Sequence, residues 1–64
     1  MNDAYTIRIY NEIEEDFDTD LLDSNGNKLV FESESNARHF INKNKIDHGY
    51  KIAYIFKNNK LISE

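Results

Sequence analysis

The chain has no cysteine, no proline and no tryptophan, and only two glycines among its 64 residues. Without cysteine there is no disulfide framework, no thiolate nucleophile and no sign of an oxidising compartment. Without proline, glycine and asparagine are left to punctuate the chain, so its elements are expected to be closely spaced. No apolar run is long enough for a signal peptide or a membrane span, so the expected location is cytoplasmic and no membrane is expected as a partner.

Residues 1–64 are expected to form a single domain, because a chain this short buries only about 60% of its unfolded surface and cannot sustain two cores. Stability is expected to be modest, since neither a disulfide nor a metal staples the fold. His39 and His48 have no partners at metal-ligand spacing, so neither metal nor cofactor is expected. The weight of Asn, Lys and Ile, all encoded by A/T-rich codons, points to a low-GC genome such as that of a Gram-positive bacterium, its phage or a mobile element.

The net charge of -4 conceals an asymmetry. Residues 1–34 carry ten acids against Arg8 and Lys28, a balance of -8, whereas residues 35–64 carry six bases against Asp47 and Glu64, a balance of +4. Such a division bears on partners and solubility and not on fold.

Tyr5, Ile7 and Ile9 alternate with Thr6, Arg8 and Tyr10, the period of a half-buried strand. Two more strands are expected at about 17–23 and 28–32, joined by a type I′ turn at Asn25-Gly26. That register pairs Asp23 with Lys28, Leu22 with Leu29 and Leu21 with Val30. It places Phe17, Leu21 and Val30 on one hairpin face and Leu22, Leu29 and Phe31 on the other.

Ser33 or Ser35 can cap a following helix whose apolar stripe is Ala37, Phe40, Ile41 and Asn44, with Glu34 in the first turn and Lys43 and Lys45 near the end. Gly49 marks the exit. Tyr50, Ile52, Tyr54 and Phe56 then define one face of a fourth strand, and Asn58-Asn59 turns into a short fifth at Lys60 to Ile62. The expected fold is α+β: a small antiparallel sheet of four to five strands with one helix packed on one face, in the order β-β-β-α-β-(β).

Sequence features that suggest chemistry are few. Asp23, Asn25, Gly26 and Glu32 occupy four positions of a calcium-binding loop, but Leu21 stands where the first carboxylate is needed and the flanks read as strands. There is no Gly-x-Ser-x-Gly elbow and no phosphate-cradling glycine loop, and Asp47-His48 are neighbours in sequence without being an oriented base. An enzyme is not expected. Tyr50 to Lys57 has the composition of a base-stacking platform flanked by lysines, yet a chain with so small a core needs those rings as the inner face of a central strand.

Glu12, Glu14, Asp16, Asp18 and Asp20 fall on five successive even positions, with Glu15 breaking the alternation. In an extended chain such carboxylates project on one side about 6.6–6.8 Å apart. The main expectation is a non-enzymatic protein-binding or regulatory module whose contacts are Glu12, Glu14, Glu15, Asp16, Asp18 and Asp20, with Phe17, Leu21 and Val30 as the adjoining apolar face. Three other readings stand beside it. One is an acidic nucleic-acid mimic that inhibits a DNA- or RNA-binding protein. Another is direct nucleic-acid binding through Arg38, Lys43, Lys45, Lys51 and Lys57, which the net charge disfavours. The third is a structural homodimer.

Overall fold

Alternation in the first and fourth predicted strands decides the centre of the fold. β1 (Tyr5–Asn11) and β3 (Lys51–Lys57) pair antiparallel over their full lengths, from Tyr5 opposite Lys57 to Asn11 opposite Lys51. The computed structural model describes residues 3–63. β2 (Asp16–Asp20) joins the outer side of β1 and β4 (Lys60–Ser63) the outer side of β3, giving an antiparallel sheet in the order β2-β1-β3-β4. The helix α1 (Glu34–Asn44) lies on one face against β1 and β3.

The helix begins where Ser33 adopts extended backbone and its hydroxyl accepts the Asn36 N–H at 3.1 Å. It ends at Lys45, which takes the left-handed conformation with φ 50°. Gly49 lies further on, in the turn that delivers the chain to β3. Ala37 and Ile41 point from α1 onto Ile7, Ile9, Ala53 and Ile55, and these six buried side chains form the core. Two alanines at the contact let the helix approach the sheet closely.

Strand number and order are where the expected fold needs correction. The segment expected as a third strand is not one: among the described residues its backbone pairs only at the isolated bridges Leu22 with Lys28 and Tyr5 with Phe31. The element order is therefore β-β-α-β-β. The cause is the turn. Asp23 accepts the N–H groups of both Asn25 (2.8 Å) and Asn27 (3.0 Å) on its carboxylate, and its carbonyl accepts from Gly26 at 3.0 Å. Only Gly26 is left-handed, so the loop holds three residues with a bulge, where a type I′ turn needs two positive φ values.

That extra loop residue slips the expected register by one, pairing Leu22 with Lys28, and a one-residue slip exchanges the faces. The type I′ geometry appears instead at Asn58 (φ 51°) and Asn59 (φ 71°), between β3 and β4.

The aromatic face needs the second correction. The helix packs on Ala53 and Ile55, and Tyr54 and Phe56 project to the opposite side. The small, branched residues of β3, and not its rings, form the inner layer.

Candidate functional site

Residues paired directly across antiparallel strands share a face, which places Thr6 with Phe56, Arg8 with Tyr54, Tyr10 with Ile52 and with Phe17, and Phe56 with Leu61. This face lies opposite α1, and no second helix covers it among the described residues. At its centre four rings meet edge to face. Phe17 is the hub, with centroid distances of 5.0 Å to Tyr10, 5.5 Å to Tyr54 and 5.8 Å to Phe56. The Arg8 guanidinium lies over the Phe56 ring at 4.6 Å. Phe17 remains 38% and Leu61 52% exposed.

A bulge in β2 explains why Phe17 reaches this cluster and where the acids go. Tyr10 opposes Phe17 but Arg8 opposes Asp20, so Asp18 and Thr19 together face Ile9. The bulge breaks the even-numbered comb: Asp20 is carried to the same face as Phe17 and away from the row of its neighbours. Its carboxylate meets Arg8 Nε at 3.0 Å and Lys28 Nζ at 3.2 Å. Burial pushes the Asp20 carboxyl up, but hydrogen bonds and charge from Arg8 and Lys28 outweigh it and hold the group below its ordinary 3.8.

The remaining acids of the segment are exposed and make no ion pair among the described residues. Glu12, Glu14 and Glu15 sit in the β1–β2 turn, where the Asn11 side chain accepts the N–H groups of Ile13 and Glu14, and Glu15 is left-handed. Ile13 stands 72% exposed among them. Asp16 and Asp18 follow along the free edge of β2. Of the expected apolar neighbours, Phe17 belongs to the open face, whereas Leu21 packs against the core on the helix side and Val30 is exposed on the hairpin. Phe17, Leu21 and Val30 are thus not one face, because the bulge and the register slip separate them.

Comparison with known protein families, with curated proteins and with solved structures finds no match.

The basic residues lie elsewhere. Lys51 and Lys57 pair with Asn11 and Tyr5 on the helix side of the sheet. Lys57 is also tied to Asp3 at 3.4 Å, and the Asp3 charge, with that of Tyr5, raises its pKa. Arg38 pairs with Glu34 along the helix. Beside the helix C-terminus an open groove of about 840 Å³ has Ile9, Leu21 and Ile46 among its lining, together with Asp18, Lys45 and Lys51. The two signs of charge therefore meet along that groove. His48 lies at its rim and His39 is exposed on the helix. Among the described residues no three His, Asp or Glu side chains converge as a metal site, and no helix is long and apolar enough to cross a membrane.

The residues that sequence reasoning missed are half-buried Arg8, Tyr10 and Tyr54 and buried Phe56, gathered on the sheet face opposite α1. One signal for it was present: Ala53 and Ile55 alternate with the rings of β3, and tyrosines suit a face that stays partly wet.

Proposed function

We infer that this protein is a non-enzymatic protein-binding module whose contact surface is the open sheet face, bordered by the acidic β1–β2 turn and β2 edge. The observation that carries this reading is the placement of an aromatic cluster whose hub, Phe17, stays part-exposed near the exposed carboxylates of the β1–β2 turn, Glu12, Glu14 and Glu15, with Asp16 and Asp18 following along the β2 edge. Aromatic residues and arginine concentrate at the energetic centres of interfaces, and charged rims steer association. The partner that fits is a protein surface with an apolar patch flanked by Lys and Arg.

Nucleic acid fits less well. Its phosphates would meet the acidic border, and Arg8, the cation over the Phe56 ring, is already held by Asp20, which it shares with Lys28. The carboxylates also follow a turn and a bulged edge and do not form the evenly spaced row that mimicry of a phosphate backbone calls for.

Selection from a displayed random-peptide library tests the reading. Selected ligands should carry net positive charge with apolar anchors. They should weaken as salt rises, and lose binding both to Tyr54→Ser and to the triple variant Glu14→Gln, Asp16→Asn, Asp18→Asn. Ligands without charge bias that bind both variants like the parent protein would overturn it.

A further inference from the structure

We propose that Asn25 is a site of spontaneous modification: its side chain cyclises onto the Gly26 nitrogen and reopens as aspartate or isoaspartate, with Asp23 restraining the reaction in the folded chain. This stands apart from the binding reading, since it needs no partner but water.

Asn25 is the one asparagine in the chain that precedes a glycine. The first step is attack of the next residue's backbone nitrogen on the asparagine side-chain carbonyl carbon, and a Cβ on that next residue crowds the attack. Glycine has none, and its backbone is free to follow the closing ring. Both residues are exposed in the hairpin loop, and a Cβ at Gly26 would meet nothing within 4 Å, so water reaches the reacting atoms. No hydrogen bond holds the Asn25 side chain among the described residues, which leaves its carbonyl free to turn toward the nitrogen.

Water alone balances the chemistry. The Gly26 nitrogen loses its proton to solvent and bonds to Asn25 Cγ, the Cγ–Nδ2 bond breaks, and Nδ2 takes up a proton and leaves as ammonia. Water then adds to one of the two carbonyl carbons of the five-membered ring. Opening at the Cγ–N bond restores the ordinary backbone with aspartate at 25. Opening at the backbone C–N bond leaves the chain running through Cβ and Cγ, as isoaspartate. Either way one neutral amide becomes one carboxylate, and the net charge of -4 gains one further negative charge.

Asp23 restrains the first step from both sides. The Gly26 N–H, whose proton must be lost, donates to the Asp23 carbonyl at 3.0 Å. The Asp23 carboxylate accepts the N–H groups of Asn25 at 2.8 Å and Asn27 at 3.0 Å, fixing the residues that flank the reacting nitrogen. Attack requires that nitrogen to leave its bond and move within a loop tied at three points.

The isoaspartyl product adds one carbon to a backbone whose register depends on loop length. Asp23 N–H to the Asn27 carbonyl, at 2.7 Å, and Leu29 N–H to the Leu21 carbonyl, at 2.9 Å, close the hairpin, and Lys28 reaches Asp20 at 3.2 Å. The longer loop no longer presents Gly26 and Asn27 to Asp23 in this geometry, so the closure loosens and Lys28 is released from Asp20.

The test is storage of the whole chain in warm, mildly alkaline buffer, followed by ion exchange and tandem mass spectrometry of digests. An acidic form should accumulate, converted at Asn25 ahead of every other asparagine and in both aspartyl and isoaspartyl forms. Asn25→Gln, which would have to close a six-membered ring, should not form it. Asp23→Ala should convert about fivefold faster than the parent, the factor set by one lost hydrogen bond. Ser33→Ala, which removes the helix cap and leaves the loop intact, should keep the parent rate. Hydrogen exchange at the Leu29 amide should quicken in the isoaspartyl form and stay near the parent value in Asn25→Asp, where the loop keeps its length.

A free peptide of residues 20–30 gives the rate without the fold. Conversion of that peptide but not of the folded chain overturns the site. A folded chain that converts as fast as the peptide, Asp23→Ala at the parent rate, or equal acceleration in Ser33→Ala, each overturns the restraint by Asp23. An isoaspartyl chain whose Leu29 amide exchanges like the parent's overturns the release of the hairpin.

Discussion

The Asp20 carboxylate lies between Arg8, 3.0 Å from Nε, and Lys28, 3.2 Å from Nζ, and so ties β2, β1 and the Asp23–Asn27 hairpin into one ion cluster. Its side chain is 14% exposed, so water screens the cluster only in part. Removing the charge leaves two cations facing a neutral group. Asp20→Asn should cost about 1–3 kcal/mol, measured by urea unfolding, whereas Asp18→Asn on the exposed edge should change stability by less than about 0.5 kcal/mol.

The same cluster sets a pH dependence. The Asp20 carboxyl is held below 3.8 in the folded state, so its contribution is complete above that value and fades as pH falls through the lower folded pKa. Thermal unfolding followed from pH 7 to pH 2 should show the gap between the parent protein and Asp20→Asn narrowing in the acid range, below about pH 4. A gap that stays constant to the lowest pH would mean that Asp20 is not stabilised as the anion.

Phe17 joins three rings and is still part-exposed, so it should matter more for binding than for folding. Phe17→Ala is expected to lower stability by about 1–2 kcal/mol, less than the 3–5 kcal/mol typical of a buried phenylalanine. Ring-current shifts of Tyr10 and Tyr54 in proton NMR should collapse toward ordinary values in this variant.

At the helix–sheet contact the prediction reverses sign with size. Ala37 and Ala53 are buried among Ile7, Ile41 and Ile55. Ala37→Leu should destabilise by about 1–3 kcal/mol through overpacking, and Ser33→Ala by about 1 kcal/mol through the lost cap, with Ser33→Asp close to neutral. Urea midpoints at unchanged slope would record both.

Much of this fold was legible in the sequence, and the parts that were not have identifiable causes. The alternation of β1 and β3, the Ser33 cap and the Ala37–Ile41 stripe are local signals that tertiary packing did not override. The hairpin misled because Asn-Gly suits both a two-residue and a three-residue loop. What selects between them is the Asp23 carboxylate gathering the N–H groups of Asn25 and Asn27. The bulge at Asp18 and Thr19 has no signature in the periodicity, yet it decides that Phe17 and Asp20 share a face and that the acidic comb is broken. The rings of β3 were expected on the inner face, and Ala53 and Ile55 meet the helix instead; periodicity did not choose between the two sides, since both carry apolar residues.

The most direct test of the central claim is a chemical-shift map of the tightest library-selected ligand on the labelled protein. Shifts concentrated at Tyr10, Phe17, Tyr54, Phe56 and the Glu12–Glu15 turn, weakening with salt, are the predicted result. Shifts confined to α1 and the groove beside Lys45 and Lys51, or indifferent to salt, would contradict it.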